Sequence, residues 1–302
     1  MIVRFWGTRG SLAAPGPSTV RFGGDTSTVE VRPRNDDRSV IVLDAGTGIR
    51  RLGESIGPEV ERVDILLSHL HMDHIQGLGF FGPLFRRGLE VHVWGPASVD
   101  HDLATRLRRY LSPPLFPMRL HELPCRLHLH DVPGAEIDIP GVRVDCDFVF
   151  HPGLTVGFRI DDGDATVAYL PDHEPALGGG GFPSDPRWTS GFDLAREVDL
   201  LIHDAQYSDE QYATRIGWGH STHTHAARFA ALVGARRLAA FHHDPTHDDE
   251  DIERLIDAAR AHGGDVEVFG AAEAATVDLT SDLTIETGLD AWAVPPVSEA
   301  GR

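Results

Sequence analysis

The chain has 302 residues, a formal net charge of −19 and 41% apolar residues, enough for one large α/β domain or two small ones. Its acidic balance argues against a broad phosphate-binding surface and leaves room for a local basic pocket. All 27 basic residues are arginine, which excludes the lysine-dependent phosphate loop of NTPases and Schiff-base catalysis.

The opening Met1-Ile2-Val3-Arg4-Phe5-Trp6-Gly7 carries no long apolar segment, so neither a signal peptide nor a membrane span is expected. Cys125 and Cys146 are the chain's two cysteines; no disulfide is expected, and a cytoplasmic location follows. Apolar runs predict strands near 2–6, 27–32, 39–43, 63–67 and 90–94, then 142–150, 155–160, 165–170, 198–202, 237–241 and 266–269. Helical spacing is expected near 74–86, 98–111, 205–214, 222–234 and 247–262. Residues 112–134 are proline-rich and contain His121, His128 and His130; residues 175–192 contain Gly178 to Gly181, Phe182, Trp188 and Phe192. Both read as loops, candidates for lids or pocket walls.

The chemistry concentrates just past the strand candidates. Val63 to Leu67 runs into Ser68-His69-Leu70-His71-Met72-Asp73-His74, four metal-capable side chains in six residues. Imidazole with carboxylate is a first-choice set for zinc and acceptable to manganese or iron. His151 follows a strand with alternating Val142, Val144, Cys146, Phe148 and Phe150; Asp172 follows Ala165 to Leu170; His242 and His243 follow Arg237 to Phe241. Val40 to Leu43 leads into Asp44-Ala45-Gly46-Thr47-Gly48.

These five motifs, in this order, resemble the signature of the metallo-β-lactamase fold superfamily over residues 1 to about 280. The resemblance implies a four-layer αββα sandwich of α/β (α+β) class, one domain over 1–280, and a flexible tail over 281–302. It implies two divalent metal ions, zinc before manganese or iron. His69, His71 and His151 would hold one ion and Asp73, His74 and His242 the other, with Asp172 bridging. His242 is preferred to His243 because Pro245 then stands three residues beyond the ligand; His243 would lie behind it or face substrate. Two such ions generate a hydroxide near neutral pH that suits attack on phosphorus, and Asp73 could orient it or take its proton.

Gly217-Trp218-Gly219-His220-Ser221-Thr222 resembles a motif of the superfamily's phosphodiesterase branch, in which RNase Z is placed; the correspondence makes His220 a general acid, with Ser221 or Thr222 as a helix cap. His223 and His225 have no such match and read as exposed helix residues. Phe5 to Ser11 and Phe22 to Ser27 are similar to the entry strands of RNase Z and of the phosphoribosyl cyclic phosphate phosphodiesterases, where Arg9 could meet a phosphate. Without lysine the chain departs from RNase Z, and it has no basic arm for tRNA. The expectation is therefore a dinuclear-metal phosphodiesterase for a small or cyclic phosphodiester, with nucleic acid disfavoured, no membrane, and a homodimer left open. The alternatives are an RNase Z-like endoribonuclease, or a lactone, thioester or β-lactam hydrolase at the same centre.

Overall fold

Two mixed β-sheets lie face to face in the computed structural model, which describes residues 1–34, 36–133, 136–175, 182–183, 185–279 and, as backbone, 285–286. The first sheet is built from β1 (Ile2–Gly7), β2 (Thr28–Arg32), β3 (Ser39–Leu43), β4 (Arg62–Leu66), β5 (Glu90–Pro96) and β6 (Arg126–Val132). The second holds β7 (Arg143–Phe148), β8 (Val156–Asp161), β9 (Thr166–Leu170), β10 (Leu200–Asp204), β11 (Arg237–Phe241) and β12 (Glu267–Gly270). The chain then returns to the first sheet, where β13 (Thr276–Asp278) pairs antiparallel with β1 and β14 (Ile285–Glu286) pairs with β13. Strands β3 to β6 run parallel, as do β9 to β12.

Alternation of side chains along each strand divides the apolar residues among three cores. Val3, Phe5, Val29, Ile41 and Leu43 meet Phe158, Val167, Tyr169, Ile202 and Phe241 between the sheets. On the outer face of the first sheet, Val40, Val63 and Val91 pack against α1 (Ile49–Ser55) and α3 (Leu103–Tyr110). On the outer face of the second, Leu201, Leu238 and Ala240 pack against α6 (His223–Val233) and α7 (Asp249–Arg260). The αββα sandwich implied by the motifs is the fold observed, and among the described residues no helix is long and apolar enough to cross a membrane.

Three expectations are corrected. The helix placed over 74–86 is a single turn, α2 (Met72–Ile75), followed by 3₁₀ turns at Leu78–Phe80 and Gly82–Phe85. Gly77, Gly79, Gly82 and Pro83 are poor helix formers, and they crowd the right stretch to break it. The loop placed over 112–134 contains β6, whose Leu127 and Leu129 pack on the outer core while His128 and His130 stack beside His92 of β5 on the other face. His223 is buried and not exposed, stacked on His243 with its Nδ1 aimed at the Tyr207 carbonyl. The Gly178 to Gly181 run lies outside the described residues, as does the expected tail apart from Ile285–Glu286.

Candidate metal centre

Open α/β sheets gather ligands beyond the carboxyl ends of their parallel strands, and here those ends of both sheets meet. Asp44 follows β3, Ser68, His69 and His71 follow β4, Asp172 follows β9, Asp204 ends β10 and His242 follows β11. His151 arrives from the loop joining β7 to β8.

The seven sequence-predicted ligands converge in two sets. The ligating atoms of His69, His71, His151 and Asp172 lie within 4.8 Å of one another, and so do those of Asp73, His74 and His242. Asp172 stands between the sets. Its Oδ1 is 3.0 Å from His74 Nε2 and 3.2 Å from His242 Nε2. Its Oδ2 is 3.6 Å from Nε2 of both His69 and His151. Asp73 Oδ2 lies 3.2 Å from Nε2 of His74 and of His242. Within this nest the buried His69 Nε2 has no hydrogen-bond partner, and Asp172 Oδ1 faces only the ring nitrogens of His74 and His242. Orphaned buried polar atoms are rare, and ones converging from imidazoles and carboxylates fit divalent cations.

Charge agrees with that fit. Burial, followed by the neighbouring imidazole of His74, holds His69 well below its ordinary value, and burial lowers His71 and His151 as well; neutral imidazole is the ligating form. Burial alone would raise Asp172, but the imidazoles of His242, His74 and His69 outweigh it and keep the carboxyl well below its usual range. Asp73 is lowered in the same way, against its burial, by His74 and His242. His74 is the exception: it rises despite burial because Asp172, Asp73 and Asp44 surround it, and a divalent cation bound there would take the place of its proton.

A second ring of side chains fixes the first. Asp44 Oδ2 accepts from His74 Nδ1 at 2.7 Å, from the Tyr169 hydroxyl at 2.8 Å and from the Ser68 hydroxyl at 2.8 Å, and its Oδ1 accepts from the Ser68 amide at 2.7 Å. Fixing Nδ1 leaves Nε2 of His74 for the centre. The Ser11 amide donates to Asp73 Oδ2 at 2.7 Å, and His151 Nδ1 donates to the Gly219 carbonyl at 2.9 Å. Gly219 has φ +86°, and a Cβ there would sit 2.5 Å from His151 Nδ1, so glycine is required on both counts. His242 itself holds φ +61°, a conformation uncommon outside glycine and found at functional sites.

His220 closes the rim. Its Nδ1 donates to Asp204 Oδ2 at 2.7 Å, and its ring stacks on His242 with centroids 5.1 Å apart. Burial would lower it, but Asp204, then Asp172 and Asp73, more than compensate and raise it to about 9. Asp204 is itself pinned by the amides of His173 at 3.1 Å and Gln206 at 2.9 Å. Glu174 holds the segment before His220 through the amides of Gly217 and Gly219 and the Tyr212 hydroxyl. Thr222, not Ser221, caps α6, by accepting from the His225 amide.

Two other sequence candidates lie away from the centre. His243 Nε2 donates to the Ala271 carbonyl at 2.9 Å, and its ring meets the edge of Phe22. Arg9 does not face a phosphate site: its buried guanidinium is spent on the carbonyls of Gly23, Asp244 and His247. Ser68, Tyr169, Asp204 and Glu174 escape sequence reasoning because strand-end serines, tyrosines and carboxylates are common. Asp44 stands in a recognised motif, though its contact with His74 is a property of the folded chain.

Comparison with known proteins places the chain in context. Ribonuclease BN of Cronobacter sakazakii is 26% identical, covering 93% of this chain and 99% of its own length. Human tRNase Z, short form, superposes with a TM-score of 0.63 at 23% identity, covering 92% of this chain and 99% of that one. A diphosphatase from the PhnP family does so with a TM-score of 0.63 at 17% identity, covering 91% and 96%. Residues 39–243 match the profile described as the Beta-lactamase superfamily domain, the stretch that runs from the strand before Asp44 to the histidines after β11, and the chain belongs to that superfamily.

Proposed function

We propose that residues 1–280 form one catalytic domain, a two-zinc phosphodiesterase that cleaves a small phosphodiester. The observation that carries this reading is His220, hydrogen-bonded through Nδ1 to Asp204 beside the ligand cluster. A positioned acid suits expulsion of an alkoxide leaving group, a step that hydrolysis of a phosphodiester must complete. His69, His71, His151, Asp73, His74, His242 and Asp172 would hold two divalent ions, which would supply Lewis acidity and a water ionised near neutral pH. The chain's own groups do the rest. Asp73, fixed by the Ser11 amide, is oriented to take a proton from the attacking water. His220 gives its Nε2 proton to the departing oxygen, because Nδ1 is committed to Asp204. Asp204 stabilises the charged ring and sets its tautomer.

A second reading, an endoribonuclease acting on tRNA, is favoured by the ribonuclease relatives that span most of the chain. The net charge of −19 and the absence of lysine weigh against it. Competition by bulk tRNA against hydrolysis of a small phosphodiester decides between them. Weak inhibition with little salt dependence is expected. Tight inhibition that falls steeply with salt, with cleavage at the 3′ end of a precursor, would make the ribonuclease reading correct.

A further inference from the structure

The metal centre opens into two cavities separated by His71 and Pro152, which line both. The cavity on the His220 side, about 540 Å³, is walled by Gln206, Tyr207, Arg215 and Trp218. The cavity on the His69 side, about 590 Å³, is of another character. Leu70, Met72, Ile75, Tyr110, Leu115 and Leu154 form its walls.

Three of those side chains are unusually open for their type: Leu115 is 69% exposed, Met72 51% and Leu154 45%. Apolar surface collected in a concavity beside a catalytic centre marks a place where ligand covers it. The tyrosine's polar end is already used, since its hydroxyl donates to the Gln76 carbonyl. Of the two arginines on this cavity, Arg106 is tied to Asp131 and to the Pro96 carbonyl. Arg109, exposed and lining the same cavity, makes no ion pair among the described residues.

From this asymmetry we infer that the His69-side cavity binds the ester group retained on phosphorus, and that this group is bulky, apolar or aromatic, and ends in an anion that Arg109 meets. The assignment rests on the phosphodiesterase reading. Water oxygen bonds to phosphorus, and the phosphorus–oxygen bond nearest His220 breaks. The leaving oxygen takes the His220 proton, while the proton lost by water passes to Asp73 and on to solvent. The leaving alcohol therefore departs through the cavity that His220 lines. The phosphomonoester product keeps its other substituent, which the divide at His71 and Pro152 directs to the apolar side. A methyl group there would leave the walls wet; a benzyl group would cover them, an effect worth about tenfold or more in affinity.

The test uses metal-replete protein and p-nitrophenyl phosphodiesters whose leaving group is constant while the retained ester is methyl, benzyl or 4-carboxybenzyl. Calorimetric binding of methyl phosphate and benzyl phosphate is measured in parallel. The expected result is a kcat/KM for benzyl at least about tenfold above methyl, a further gain for carboxybenzyl, and tighter binding of benzyl phosphate. Leu115→Asp should shrink the benzyl-to-methyl ratio, and Arg109→Gln should erase the gain from the carboxylate. Both positions are on the surface, so neither change threatens the core. Hydrolysis of all esters at one kcat/KM, with equal binding of the two monoesters, overturns the cavity assignment. Equal rates for benzyl and carboxybenzyl overturn the role of Arg109. Absence of hydrolysis of every diester sinks the phosphodiesterase reading instead, and the calorimetric arm then still decides whether the cavity prefers an apolar phosphate ester.

Discussion

At the scale of single residues, the proposed phosphodiesterase chemistry rests on His220. Its Nδ1 is committed to Asp204 Oδ2 at 2.7 Å, which leaves Nε2 as the atom that can carry a proton to the leaving oxygen. Replacing it by alanine should leave metal content intact and lower kcat on phosphodiesters by about 10²-fold or more, the usual worth of a positioned acid. The loss should shrink as the leaving group becomes more acidic, because such groups need little protonation. A uniform loss across a series of leaving-group pKa values would mean that His220 binds substrate without protonating it. The residues that converge at the centre are legible because histidines and aspartates stand directly after apolar runs, at His69, His151, Asp172 and His242. The residues that orient them are not. Nothing in the spacing of Asp44 and Tyr169, 125 positions apart, announces that they share a hydrogen bond.

At the scale of elements, strands and long amphipathic helices were readable from periodicity, and failures fell where local chemistry overrode it. The proline-rich entry to 112–134 drew attention from the alternation of Leu127 and Leu129 with His128 and His130, which is a strand signal. Strand β13 is three residues long and exists because β1 has a free edge to pair with. The segment from Gly217 to His220 is irregular, and its shape is imposed from outside by Glu174. Glu174→Ala would strand the amides of Gly217 and Gly219 and let the segment drift. A displacement of that kind should cost about tenfold to a hundredfold in kcat. Measured together with His220→Ala, the double variant should lose little more than His220→Ala alone, since Glu174 acts through the histidine. Fully multiplicative losses would show that Glu174 has an independent role.

At the scale of the whole molecule, burying many histidines neutral ties stability to pH. His203 lies inside the second sheet; its Nδ1 donates to the Asp204 carbonyl at 2.7 Å, so in the neutral ring its Nε2 accepts from His173 Nδ1 at 2.9 Å. Burial pushes both His203 and His223 down to about 4. In the unfolded chain each takes up a proton near its ordinary value of 6.5, so between about 6.5 and about 4 the unfolded state binds more protons than the native one. Stability contributed by these two groups is therefore complete above the upper value and lost as pH falls through the window. The melting temperature should drop across that range, and a His203→Gln variant should show a shallower slope; an unchanged slope would contradict the assignment. The proposed chemistry turns on the number of ions that the converging side chains hold and on whether hydrolysis depends on both. Metal-free protein titrated with Zn²⁺ while it hydrolyses a p-nitrophenyl phosphodiester measures this directly. Activity that rises to a plateau at two equivalents per chain is the predicted result. A plateau at one equivalent, or no hydrolysis with two ions bound, would contradict it.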